Sequence, residues 1–263
     1  MSTLILDSSY LHGVGIEKIH SLCGEHQVLM PEALFMELLD DDEPAVRAAC
    51  FKKFPPTENP VELIDHVGAL LKYERDHHLP ATPVYERRRK IRFEFNKGLT
   101  APEFVLRPEE RQTMQEWRDQ LKRDVDVFKK RCSEVYKWFP ELVRAGSGRS
   151  REVIEKIKGR IAVDLSLVQR LYGQIASPPF PPQDIINHDW ALFRRMQVHL
   201  IAAIEYTFQF GAGNWQVQSG KLENTVLDQE YSILGILAGG LATRDGQIKK
   251  TFKLLCPKGV LME

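Results

Sequence analysis

The chain has 263 residues, 43% of them hydrophobic, and its 36 Lys and Arg balance 36 Asp and Glu, which suits a full core in one large domain or one domain with a sizeable insertion. No apolar run reaches the roughly 20 residues of a membrane span, and the N-terminus lacks the basic and apolar regions of a signal peptide, so a cytoplasmic protein with no membrane contact is expected. Cys23, Cys50, Cys132 and Cys256 include no CxxC pair, which argues against a disulfide framework and against a thiolate metal centre.

In chain order, "TLILD" is β-like, "GIEKIHSLC" helical and "HQVLM" a second strand, and "PEALFMELLD" is a helix whose Pro31 suits the first turn. After Pro44 the texture changes. "FKKFPPTENP" is loop-like, "VELIDHVGALLKYERDHH" is expected to be helical, and "LPATPVYERRRKIRFEFNKGLTAPEF" is irregular and basic. Met114, Trp117, Leu121, Val125, Phe128, Cys132, Val135 and Phe139 then recur at three- and four-residue steps, one stripe on a long helix that Pro140 ends.

A second helix is expected from about Glu152 to Ile175, with Ile157, Ile161, Leu165 and Val168 as the matching stripe of an antiparallel hairpin. "SPPFPPQD" reads as a stiff linker, and "DWALFRRMQVHLIAAIEYTF" as a further helix. The C-terminal stretch returns to α/β texture: a helix from about Asp228, a strand "GLAT", a helix "GQIKKTFKLL" and a strand "GVLM".

Charge is unevenly placed. Residues 85–160 hold 21 Lys and Arg against 13 Asp and Glu, a net +8, whereas residues 1–44 hold nine acids against Lys18 alone. Such asymmetry suggests an acidic site in one part of the chain and an anion-facing surface in another.

Asp7 ends the first strand and Asp245 follows "GLATR", so two strands each place a carboxylate at the edge where parallel sheets bind ligands. Glu37, on the helix after the second strand, and Asp228, at the start of the helix preceding "GLAT", could point to the same edge. Four converging carboxylates could not all stay ionised without a cation, and oxygen-only ligands favour Mg²⁺ or Mn²⁺. Each acid also has a plainer reading. Asp7, Asp245 and Asp228 could cap the helices that follow, Glu37 could sit on a solvated face, and Asp40 or Asp41 could be the second acid. His20, Cys23 and His26 lack a fourth ligand for zinc.

The order Asp7, Glu37, Asp228, Asp245 in "LILDSSYL", "PEALFMELL" and "LDQEYSILGILAGGLATRD" resembles the PIN-domain nucleases. The resemblance covers residues 1–44 and 217–263, leaving 45–216 as a mostly helical insertion with its return helix. It implies an α/β fold with a parallel sheet flanked by helices. It further implies a metal-dependent endoribonuclease, as in the toxins of bacterial toxin–antitoxin pairs, with Asp7, Glu37, Asp228 and Asp245 as metal ligands and Ser9 as the hydroxyl residue near the first Asp. The family's further polar ligand after the last Asp is replaced by Gln247 and Lys249, which puts a second metal in question. In such sites the ions generate a hydroxide and stabilise phosphate charge, so no side-chain nucleophile is required.

Arg87, Arg88, Arg89, Lys90, Arg92, Lys130 and Arg131 could bind phosphates of RNA or single-stranded DNA, with Tyr85, Phe93 and Phe95 available for stacking, unless this charged face is simply solvated. The alternative class is a binding or assembly module of the same fold that docks partners through the helical insertion. A regulatory protein such as an antitoxin and a homo-oligomer both remain open partners.

Overall fold

The computed structural model describes residues 1–40, 43–57, 59–82, 97–144, 146–176, 180–211 and 219–263. Among them the strands are β1 (Thr3–Leu6), β2 (Gln27–Pro31), β3 (Glu62–Ile64), β4 (Gly240–Ala242) and β5 (Val260–Met262). All pair in parallel in the order β3-β2-β1-β4-β5. Helices α1 (Ser8–Gly13), α2 (Ile16–Glu25), α3 (Glu32–Asp40), α4 (Pro44–Phe51) and α5 (Val67–His77) precede the central region. That region supplies α6 (Pro108–Trp138), α7 (Glu141–Arg144), α8 (Gly146–Val163), α9 (Leu165–Ile175) and α10 (Ala191–Phe210). Helices α11 (Ser219–Ala238) and α12 (Gly246–Leu255) alternate with the last two strands. The α/β class expected from the sequence is the class observed.

Parallel strands covered on both faces should read as apolar runs rather than alternations. Leu4, Ile5 and Leu6 of β1 and Leu241 and Ala242 of β4 are fully buried, as is nearly all of Val28, Leu29 and Met30 in β2. β1 is central, with Leu4 opposite Val28 on one side and Ile5 opposite Leu241 on the other. The chain builds outward from β1 to β3, then returns to β4 and builds outward the other way. The connections therefore diverge between β1 and β4, which opens a crevice at the strands' carboxyl ends.

Several expectations are corrected. Residues 61–78 are not one helix: Glu62–Ile64 pairs with Leu29–Pro31 as an edge strand, and α5 starts only at Val67. A three-residue apolar run does not reveal its period, so pairing decides it. Pro31 ends β2 rather than opening α3, a place that needs no ladder donor. The helix expected over 152–175 divides at Asp164, whose carboxylate accepts from the Leu167 N–H at 2.9 Å and caps α9. Helix α11 begins at Ser219, which puts Asp228 in mid-helix rather than at its start.

Two compact units result: Met1–Leu70 with Thr82–Gln120 and Glu230–Glu263, and Leu71–Ala81 with Leu121–Gln229. The first contains the sheet. In it the buried Arg47 donates through Nη2 to the carbonyls of Ala101, Pro102 and Phe104 at 3.1 to 3.3 Å, fixing that segment on α4. In the second, the α6 residues Val125, Phe128 and Cys132 pack with Ala203 and Tyr206 of α10 and Leu222 of α11. The α6 stripe, expected to face the following helix, thus meets α10 and α11. Glu74, fully buried, accepts from the N–H groups of Ala81, Ala191 and Leu192 at 3.0, 2.6 and 2.8 Å and thereby caps α10.

Candidate active site at the carboxyl edge of the sheet

Asp7 follows β1 directly, and its backbone N–H donates to the Ala242 carbonyl at 3.1 Å, so the carboxylate sits where β1 and β4 both end. It is 2% exposed. Its main-chain carbonyl starts α1 by accepting from Tyr10 and Leu11, yet its side chain caps nothing. By hydrogen-bond geometry the helix-cap reading therefore fails for Asp7, although the Ser9 N–H still acts to lower its carboxyl.

What the side chain does instead is accept at Oδ2 from two hydroxyls, Ser9 Oγ and, at 2.6 Å, Thr243 Oγ1. Ser9 Oγ in turn accepts from the N–H groups of Arg244 and Asp245 at 2.9 and 3.0 Å. One hydroxyl has one proton to give and two lone pairs, and all three capacities of Ser9 are used. This network ties the start of α1 to the turn after β4 and fixes the Asp7 carboxylate in one orientation.

Asp245 is divided between roles. Its Oδ1 accepts from Gln247 and Ile248 N–H at 2.7 and 2.8 Å, capping α12, and its Oδ2 takes no hydrogen bond among the described residues. Here the cap reading holds for one oxygen. Glu37 lies on α3, and its Oε2 accepts from the Tyr231 hydroxyl of α11. Asp228 belongs to the second unit, partly buried one helical turn before Tyr231.

Electrostatics links three of the four acids. Burial pushes the Asp7 carboxyl above its ordinary range, the Ser9 and Thr243 hydrogen bonds oppose that, and the charge of Asp245 adds to it. Glu37 is pushed up to about 7, first by burial and also by the charge of Asp7, against the lowering effect of Tyr231. No protein-family model, curated protein or solved structure matches the chain.

Among the described residues no three His, Cys, Asp or Glu side chains form a group that could hold a metal ion. A hard cation at this edge would meet oxygen donors only, and burial together with like charge suppresses ionisation at Asp7 and Glu37. Glu37 would have to exchange its bond with Tyr231 for the ion.

Arg87, Arg88, Arg89, Lys90 and Arg92, like Tyr85, Phe93 and Phe95, lie outside the described residues. Lys130 is exposed on α6, and Arg131 is paired with Glu134 at 3.3 Å. Lys129 and Arg151 are also ion-paired, with Asp126 at 3.0 Å and with Glu155 and Glu205 at 2.7 and 2.9 Å, which narrows the surface free to meet phosphate. His26 bonds to the Ser2 hydroxyl at 2.7 Å, so nothing adds to the zinc spacing of His20, Cys23 and His26.

Two partners of the acids were not singled out from the sequence. Thr243 could have been found, since it stands two residues before Asp245 at the strand end. Tyr231 could have been found as the residue one turn beyond Asp228. The same edge also carries the buried Glu32 after β2 and Asp65 after β3.

Proposed function

We propose that this chain is a PIN-like, metal-dependent endoribonuclease working at the carboxyl edge of its sheet. The observation that carries the reading is Asp7: a buried carboxylate at the point where strand order reverses, oriented by two hydroxyls, capping no helix, and under the charge of Asp245. Burying a charge there is costly, and the Ser9 and Thr243 hydroxyls that offset the cost also aim the carboxylate at the edge where β1 and β4 end.

Asp7, Glu37 and Asp245 would hold Mg²⁺ or Mn²⁺, and Asp228 enters as a fourth ligand from its sequence pattern alone. When bound, such an ion supplies a hydroxide near neutral pH and charge stabilisation at the phosphate. The chain's own groups do the rest. Ser9 and Thr243 fix the direction of the Asp7 carboxylate, and burial lets Glu37 hold or release a proton near pH 7. Tyr231 positions Glu37. The net positive segment 85–160 supplies phosphate contacts through the arginine run and Lys130.

The test is cleavage of single-stranded and looped RNA with Mn²⁺ or Mg²⁺, by wild type, Asp7→Asn, Asp228→Asn and Asp245→Asn. Loss of cleavage in Asp7→Asn and in EDTA, with the fold retained, is the expected result. Activity that survives both would overturn the reading. A second reading, a binding or assembly module, is favoured by Glu37 and Asp245 being engaged by Tyr231 and by α12. Absence of Mn²⁺ binding by calorimetry would select it.

A further inference from the structure

The end of α1 that points away from Asp7 gathers cations from other parts of the first unit. Lys53, just past α4, donates through Nζ to the carbonyls of Leu11 and His12 at 2.6 and 3.1 Å. Arg244, in the turn after β4, donates through Nη1 to the carbonyl of Gly13. Three successive carbonyls of one helix end thus hold both charged groups within a turn of each other. The His12 imidazole belongs to the same end, its Nδ1 3.5 Å from the Cys50 thiol of α4.

Gly13 makes room for this arrangement. Its backbone is not in the left-handed region, so no turn requires a glycine there. A β-carbon at Gly13 would stand 2.5 Å from Nη1 and 2.7 Å from Cδ of Arg244, and the flexible arginine is the group that would have to move. Helix capping alone does not account for two full charges. The carboxyl end of a helix carries the equivalent of about half a negative charge, and neither Lys53 nor Arg244 meets a carboxylate among the described residues. The surplus is open to solvent, with Arg244 exposed and Lys53 half-buried. Arg244 gives Gly13 one of its side-chain N–H groups, and a guanidinium has five.

The surplus also lies beside the carboxylates. The main-chain N–H of Arg244 donates at 2.9 Å to Ser9 Oγ, the hydroxyl that holds Asp7, and the next residue is Asp245. The six residues of α1 span about 9 Å, which is the separation between the cations and the buried acid. We propose that this end of α1 is a subsite for a phosphodiester of an RNA strand, beside the phosphate at the carboxylates, with Arg244 in contact and Lys53 as the second charge. Two monovalent cations with donors to spare suit the single negative charge that each link of a strand carries, and they offset the repulsion of that strand by the acids. The choice of RNA rests on the ribonuclease reading.

The experiment measures the affinity of the full chain for an eight-nucleotide oligouridine across a salt series, in EDTA so that no metal-dependent cleavage intervenes. Arg244→Gln removes one charge-assisted contact, so binding should weaken about tenfold and the slope of log K against log salt should fall by about 0.7. Arg244→Lys keeps the charge and should keep the slope. Gly13→Ala leaves net charge unchanged but displaces the guanidinium, and should weaken binding in the same direction. Lys258, exposed ahead of β5 at the opposite end of the strands, is the control for charge alone, and Lys258→Gln should leave affinity within about twofold. Wild-type affinity and slope in Arg244→Gln, with only a lower unfolding temperature, would make Arg244 a helix cap and overturn the subsite. An equal loss in Lys258→Gln, or wild-type binding by Gly13→Ala, would overturn it too. Displacement of oligouridine by inorganic phosphate well beyond that by chloride at equal ionic strength, and lost in Arg244→Gln, would overturn the strand and leave a small-anion site. Slopes that behave as expected in a chain that cuts no RNA with Mn²⁺ or Mg²⁺ would count against the ribonuclease reading alone.

Discussion

The hydroxyl of Tyr231 donates to Oε2 of Glu37, joining α11 to α3 at an acid pushed up to about 7. That bond favours the ionised carboxylate, whereas burial and the charge of Asp7 disfavour it. Tyr231→Phe removes only the favouring partner. The Glu37 midpoint should then rise above about 7, as read from the side-chain carboxyl carbon by NMR. A midpoint that stays put or falls would show that the phenol does not act on Glu37.

The pH dependence of stability follows from the same shift. Glu37 titrates at its ordinary 4.5 when unfolded and at about 7 when folded, so the native state binds more protons between those values. Stability is then fullest below the lower value and is lost as pH rises through the upper one. Asp7 is shifted in the same direction. Urea unfolding in EDTA should give a higher midpoint at acidic than at alkaline pH, and Glu37→Gln should flatten that difference. Wild-type stability that increases across the interval would contradict the assignment.

Gly240 opens β4, where a β-carbon would run into the carbonyl oxygen of Thr3 and the Leu4 side chain. The obstacle is the backbone of the central strand, so relief requires β1 and β4 to separate. Gly240→Ala should therefore destabilise by about 3 kcal/mol, the upper end for overpacking a tight site. Gly246→Ala, where nothing stands within 4 Å, is the control and should change little. Equal unfolding midpoints for the two variants would refute the close approach.

Glu74 gathers three backbone N–H groups while fully buried. Glu74→Ala leaves those donors without an acceptor and should cost about 3 kcal/mol. Glu74→Gln keeps one acceptor oxygen and should lie between wild type and alanine. Chemical denaturation with an unchanged m-value would measure both, and a neutral alanine variant would refute the capping role.

The strands of the sheet's middle were legible because burial on both faces writes itself as apolar runs such as "TLIL" and "QVLM". β3 was not, since three residues carry no period and only pairing with β2 makes "ELI" a strand. α1 and α4 were missed for a related reason: each is shorter than the window in which helical periodicity shows. At the site, Asp7 and Asp245 could be placed by their position after apolar runs. The partition of Asp245 between a cap and the crevice could not, because it depends on which oxygen each N–H reaches. The engagement of Glu37 by Tyr231 depends on residues 194 apart in sequence and leaves no local trace.

The middle position of β1 also sets a schedule for biosynthesis. One of its neighbours, β2, follows within a few tens of residues, but the other, β4, is encoded from Gly240 onward. At translation speeds of about 5 to 20 residues per second, the ribosome adds the intervening chain over on the order of tens of seconds. Throughout that interval the β4-facing edge of β1 at Ile5 and Leu6 leaves main-chain N–H and C=O groups unpaired between apolar faces, the kind of surface that recruits wrong partners. The nascent chain therefore needs shelter for β1, from a chaperone or from its own helices, until β4 emerges to close the sheet.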